Sequence, residues 1–162
     1  MAFASLKMWL QGLFGGTSET VANVETYVDQ LVQRQLVVPL PNDTNAATDL
    51  IYYFWDTHSG AKKVKAVSYL PLAAVDLSAH NGTNNAVISL FTNDGAGGAN
   101  TTIANVSTSG SATNFVVGTP YDLSVQSASV TAGNVVGVKV DKNGAGLDVA
   151  AGDCVSITYE EA

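Results

Sequence analysis

The strongest constraint on the fold is an alternating pattern that begins near residue 35. Apolar residues occupy every second position over 136–140 and again over 155–159. Because successive side chains of a β-strand point to opposite faces, a period of two predicts strands that bury one face. We predict eight such runs: Gln35–Leu40, Leu50–Trp55, Lys62–Leu70, Ala86–Thr92, Thr101–Ser107, Tyr121–Val125, Val135–Val140 and Asp153–Tyr159.

Turn-forming residues separate these runs. Asn81-Gly82, Asn93-Asp94-Gly95 and Asn143-Gly144 supply glycine and asparagine, which tolerate positive φ. Short strands joined by such turns are typical of an all-β sandwich or barrel, and eight strands in two sheets is the count of a jelly roll. We therefore predict an all-β, jelly-roll-like β-sandwich of about eight strands over residues 36–162, whose connectivity the spacing leaves open.

Residues 1–35 follow a helical period instead, so we predict a helical N-terminal arm. Within 1–16, apolar residues recur at i, i+3, i+4, i+7 and i+8 and are followed by two glycines. A helix this short is marginal alone and must dock on its own domain, a neighbouring copy or a partner. The hypothesised partner-binding residues are Leu6, Trp9, Leu10, Leu13 and Phe14.

A second helix is predicted after the two glycines. Thr17-Ser18 can cap it, and Val21, Val24, Val28 and Leu31 recur at spacings of 3, 4 and 3 residues. This seam is too short to establish a coiled coil. Packing on the sandwich domain and contact with another subunit both remain open.

The charge balance argues against a polyanionic partner. The chain has 7 Lys and Arg against 14 Asp and Glu, a formal net charge of −7, which repels nucleic acid. Three of the basic residues, Lys62, Lys63 and Lys65, are interpreted as the solvated face and edge of a strand. No apolar run approaches the ~20 residues of a membrane span, and no signal peptide is recognised, so we expect synthesis in the cytoplasm and no membrane partner.

The residues that carry chemistry form no recognisable site. Cys154 lies in an apolar strand pattern and is predicted to be a small core residue. His58 and His80 have no neighbouring ligand at metal-binding spacing, and no nucleophile elbow occurs. The terminal Glu160-Glu161 is interpreted as a solvated tail. We predict no catalytic, cofactor-binding or metal-binding residues and no enzymatic activity.

The aromatic run Tyr52–Trp55 leaves two interpretations open. In a regular strand two of its four side chains enter the core and two face outward. The outward pair then serves either packing or the stacking of a sugar ring.

From Lys62 to Glu160 the chain carries turn and core motifs in a characteristic order. They are Tyr69-Leu-Pro71, Ala86-Val-Ile-Ser-Leu90, Thr101-Thr-Ile103, Gly118-Thr-Pro120-Tyr-Asp-Leu123, Val130-Thr-Ala-Gly133, Val138-Lys-Val140, Gly144-Ala-Gly146-Leu147 and Ala151-Gly-Asp153. This order resembles the small β-sandwich proteins of tailed bacteriophages that decorate, or cement, the capsid shell. The resemblance covers about the C-terminal two-thirds of the chain and does not include the N-terminal arm.

The resemblance implies a structural virion protein with a jelly-roll-like sandwich. Such proteins are frequently homotrimers, and they bridge neighbouring major capsid proteins on the capsid surface. The resemblance implies neither cofactors nor catalytic residues. The alternative is a receptor- or carbohydrate-binding module of a phage tail or fibre. An enzyme acting on glycans is a third possibility, although no pair of carboxylates stands out for it.

Overall fold

The computed structural model describes residues 33–43, 49–57, 60–76, 78, 81–96, 98–109, 114–144 and 149–162. Contacts along the chain define two compact units, Met1–Gln33 and Arg34–Ala162. The helical arm predicted over residues 1–35 lies outside the described residues, apart from its last three, and the division at residue 36 stays a prediction.

The described part of the second unit is all-β, as predicted. Its strands form two sheets in which every pairing is antiparallel. The first sheet has the order β1-β10-β3-β6, with β8 also paired to β3, and the second has the order β2-β9-β4-β5-β7. The strands are β1 (Arg34–Pro39), β2 (Leu50–Asp56), β3 (Lys62–Leu70), β4 (Asn85–Asn93), β5 (Thr101–Ser107), β6 (Tyr121–Asp122), β7 (Ser124–Val125), β8 (Ser129–Val130), β9 (Val135–Asn143) and β10 (Cys154–Glu161).

The pairings are nested along the chain. Strand β1 pairs with β10, β2 with β9, β3 with β6 and β8, and β4 with β5. The chain therefore runs out and back as one antiparallel ribbon whose tip is the β4–β5 connection. Three further pairings complete the two sheets: β3 with β10, β4 with β9, and β5 with β7.

The two sheets share one core, which makes the domain a β-sandwich. Alternate residues of each sheet are buried in it, among them Val67 and Ile157 from the first sheet and Ile88 and Val138 from the second. Burial of these side chains is the main stabilising term of such a fold. Cys154 is also buried, as predicted, and this burial raises the pKa of its thiol.

The strand count departs from the prediction at residues 121–125. This run, predicted as one strand, is divided at Leu123 into β6 in the first sheet and β7 in the second. Leu123 is buried, and its N–H donates to the Val67 carbonyl at 2.8 Å. The chain thus crosses between the sheets at this residue. The two-residue strand β8 was not predicted, because so short a segment has no alternation to detect.

Candidate interaction surfaces

The five residues predicted to bind a partner, Leu6, Trp9, Leu10, Leu13 and Phe14, lie outside the described residues, as do His58 and His80. Within the described ranges no three His, Cys, Asp or Glu side chains are grouped closely enough to hold a metal ion. Within the same ranges the structure contains no helix of the length and apolarity that a membrane span requires.

Lys63 and Lys65 are exposed on β3, as predicted, whereas Lys62 is buried. Lys62 is only 3% exposed and forms an ion pair with Glu161, which also lies 3.9 Å from Arg34. Lys63 and Lys65 pair with Glu160 at 3.7 and 2.9 Å. The interpretation of Lys62 as a solvated residue is therefore wrong.

The same contacts correct the interpretation of Glu160-Glu161 as a solvated tail. Both residues belong to β10, which pairs with β3 so that Glu160 lies opposite Lys63 and Glu161 opposite Lys62. The charges of the two strands therefore meet across the ladder. A charged tail and a charged strand end look alike in sequence, and only strand pairing distinguishes them.

A buried carboxylate connects two segments of the chain, 69–72 and 150–153, at one end of the first sheet. Asp153 is 1% exposed. It accepts hydrogen bonds from the Tyr69 hydroxyl at 2.5 Å, from the Leu72 N–H at 2.7 Å and from the Ala150 N–H at 3.0 Å. Burial raises the pKa of Tyr69 well above its usual value, and the hydrogen bond to Asp153 adds to the increase. This arrangement holds the ends of β3 and β10 together, a structural role that the sequence did not reveal.

The aromatic run of β2 departs from regular alternation. Phe54 has no partner on β9, because the register shifts between Tyr53 and Trp55. This extra residue is a β-bulge, which turns the following side chain to the opposite face. Tyr52, Phe54 and Trp55 therefore all pack against the core, and only Tyr53 faces outward. The prediction of two inward and two outward side chains is wrong because the sequence does not reveal the bulge.

Tyr53 lies on the outer face of the second sheet beside a buried aromatic ring. Its ring meets that of Phe91 edge-on, with the centroids 5.4 Å apart. Between them in register lies Gly137, where a Cβ atom would stand 2.7 Å from the Phe91 ring. Glycine is therefore required there so that the phenylalanine can lie across β9.

Charged groups lie on the same face of the second sheet as Tyr53. Lys139 lies 2.7 Å from Asp141 and 3.3 Å from Asp49. The hydrogen bond to Asp141 raises the pKa of Lys139, and a backbone hydrogen bond from Lys142 lowers that of Asp49. These shifts favour the charged forms of Lys139 and Asp49.

An apolar surface stands at the end of the first sheet where β3 stops and β6 begins. Residues 71–75 and 115–118 run side by side, because Gly118 N–H donates to the Pro71 carbonyl at 2.9 Å, and Val75 and Phe115 exchange two hydrogen bonds. Three large apolar side chains here are between 51% and 55% exposed. We call this group the apolar end surface: Leu72, Val116 and Val117.

The backbone beneath the apolar end surface is held in place by polar groups. Asp153 accepts from the Leu72 N–H, as described above, and the Tyr121 hydroxyl accepts from the Val116 N–H at 2.7 Å. A turn follows, closed by the Thr119 N–H on the Val116 carbonyl at 3.0 Å, with Gly118 at φ +72°. Gly118 is the third residue of this turn, a position where a type II turn requires a positive φ, and glycine adopts that φ without strain.

Comparison with known protein families, with curated proteins and with solved structures finds no match for this chain. The resemblance to capsid decoration proteins rests on the motifs between Lys62 and Glu160.

Proposed function

We propose that this protein is a structural component of a virion that decorates and stabilises a bacteriophage capsid by bridging neighbouring major capsid proteins. In this proposal it acts as a homotrimer on the capsid surface, with a jelly-roll sandwich as its body and without catalysis. The observation that carries the proposal is the strand order of the two sheets.

The jelly-roll assignment is supported by the nested pairing of the strands. A jelly roll is an antiparallel ribbon of eight strands rolled into two sheets, each of four strands. Here the strand orders are β1-β10-β3-β6 and β2-β9-β4-β5. Successive paired levels of the ribbon therefore lie alternately in the first and the second sheet. The short strands β7 and β8 belong to the same return segment as β6, which keeps the ribbon count at eight. This is the fold that the resemblance implies.

The outer face of the first sheet supports an interface role. Its central rows, read across β1, β10 and β3, carry small or uncharged side chains. Such a surface suits broad contacts made through hydrogen bonds and bridging water, of the kind found in non-obligate interfaces. The residues are Val37, Ser156 and Ser68 in one row and Gln35, Thr158 and Ala66 in the next.

The direct test is binding to capsids assembled without this protein. Purified protein is added to unexpanded and expanded particles, and the bound copies are counted after sedimentation. We expect saturable binding to the expanded particles and a higher temperature for their disruption. Absence of binding to either form would refute the proposal.

The trimer is tested separately, by light scattering after size-exclusion chromatography. A molar mass near three times 16.7 kDa is expected. A monomer in solution would refute a preformed trimer, and a count of copies per three-fold position on the particle would then show whether a trimer forms there.

The N-terminal arm has a proposed role in the same assembly. We expect Leu6, Trp9, Leu10, Leu13 and Phe14 to anchor the protein to the shell or to a sister subunit, because an apolar helix of this length is not stable undocked. Deletion of residues 1–16 should lower either capsid occupancy or trimer content. Unchanged values of both would refute this role.

A second candidate function is favoured by Tyr53. The outward ring of Tyr53 offers stacking, and the group of Lys139, Asp49 and Asp141 on the same sheet face offers hydrogen bonds. These are the two contacts with which proteins hold sugars. This supports a receptor- or carbohydrate-binding module of a phage tail or fibre. Binding to a glycan array that is lost in Tyr53→Ala would favour this alternative over capsid decoration.

A further inference from the structure

We propose that the apolar end surface, formed by Leu72, Val116 and Val117, is the part of the sandwich that contacts the assembled protein shell. This inference rests on the proposed function and adds to it the contact surface and the chemistry of the partner. The partner site is an uncharged, apolar surface that is repeated many times on one particle.

The backbone of the apolar end surface is already fixed before any partner binds. The buried Asp153 fixes the backbone at Leu72, and Tyr121 fixes it at Val116. Tyr121 is itself packed against the Phe115 ring, whose centroid is 4.4 Å away. A surface whose backbone is already ordered loses little conformational entropy on binding, so more of its contact energy appears as affinity.

The apolar end surface is uncharged, although the domain that carries it is acidic. The domain from residue 34 onward has 6 basic and 11 acidic residues, a formal net charge of −5. No charged residue occurs in the exposed stretches 72–74 and 116–120. The surface can therefore approach another protein without burying an unpaired charge. An anionic membrane is a poor fit, because the basic residues that bind its headgroups are missing from both stretches.

The apolar end surface is small compared with the interface of a stable one-to-one complex. Three half-exposed side chains of this kind present on the order of 300 Å², the scale of the largest apolar patch on an ordinary monomer. Each partner in a stable one-to-one complex buries roughly 800 Å². The surface is thus too small to hold a second copy by itself. Repetition on a shell overcomes this limit, because linked weak contacts bind far more tightly than one.

The test compares two exposed valines. Val116→Asp places a charge in the apolar end surface, and Val125→Asp places the same charge on β7 of the second sheet, where Val125 is 38% exposed against 55% for Val116. Both full-length variants are titrated onto expanded capsids assembled without this protein. For Val116→Asp we expect the concentration at half-occupancy to rise about tenfold or more, and for Val125→Asp to change less than about twofold.

Unfolding temperature and molar mass are measured for each variant. If Val116→Asp does not fold, Val117→Asp replaces it, because Val117 lies at the exposed corner of the 116–119 turn. Undiminished binding of the folded variant, or an equal loss for Val125→Asp, overturns the inference.

Two other occupants are tested with the same variants. A loss of oligomer mass in Val116→Asp would assign the surface to a second copy, and wild-type binding to phosphatidylcholine vesicles that the variant lacks would assign it to a membrane. Either result overturns the inference. If the wild type binds no capsid at all, the proposed function fails and the inference fails with it. Capsid binding that is insensitive to Val116→Asp refutes the inference alone.

Discussion

Replacing Asp153 by alanine removes an acceptor that three donors share. The Tyr69 hydroxyl is fully buried. Loss of its acceptor therefore lowers the free energy of unfolding by the desolvation penalty of an unsatisfied polar group, about 1–3 kcal/mol. The N–H groups of Leu72 and Ala150 are partly buried, and water can replace part of what they lose. We expect a total loss of about 3–5 kcal/mol, a large share of the roughly 5–15 kcal/mol that stabilises a domain.

Tyr69→Phe should cost less, about 1–2 kcal/mol, because Asp153 keeps its two N–H donors. The two changes should not be additive, since the hydroxyl that Asp153→Ala leaves unpaired is absent when Tyr69 is already phenylalanine. The double variant should therefore be more stable than the sum of the single effects predicts, by about 1–2 kcal/mol.

The assay is urea unfolding of the full chain, followed by circular dichroism and extrapolated linearly to water. The wild type, both single variants and the double variant complete one thermodynamic cycle. Additive effects would contradict the reasoning, as would a loss below about 1 kcal/mol for Asp153→Ala. Either result would mean that Tyr69 and the carboxylate do not depend on each other for stability.

Three further predictions concern pH, charge and packing. Because the folded domain raises the pKa of Tyr69, the stabilising contribution of this residue is complete below the unfolded value of about 10 and is lost above it by up to ~1.4 kcal/mol per pH unit. Urea unfolding between pH 9 and 11 should show this loss in the wild type and a shallower one in Tyr69→Phe; equal slopes would contradict it. Glu161→Gln removes one ion-pair partner of a buried lysine and should cost about 1–2 kcal/mol. Glu160→Gln, whose lysine partners are more exposed, should cost less than about 0.5 kcal/mol. Equal costs of the two changes in urea unfolding would refute the distinction. Gly137→Ala forces a Cβ into contact with the Phe91 ring and should lower the free energy of unfolding by about 1–3 kcal/mol. The control Gly82→Ala meets no atom within 4 Å and should leave the melting temperature nearly unchanged. An unchanged melting temperature for Gly137→Ala would show that the ring moves freely.

Much of the candidate surface could not have been predicted from the sequence. Leu72, Val116 and Val117 lie in segments without any period, and they come together only because the ends of β3 and β6 are neighbours in one sheet. The network beneath them depends on Asp153, whose sequence context is that of an ordinary turn. The predicted partner-binding residues of the arm lie outside the described residues and stay a prediction.

The sequence by itself determined that the chain from residue 35 forms short strands with one buried face, and it placed Cys154 in the core. These are local properties, because the period of two reports which face of a strand avoids water. Tertiary structure alone decided that the run 121–125 divides between two sheets and that Lys62 is buried against Glu161. Those outcomes depend on which strands become neighbours, and strand pairing joins residues that are far apart in the chain, where no local pattern records them.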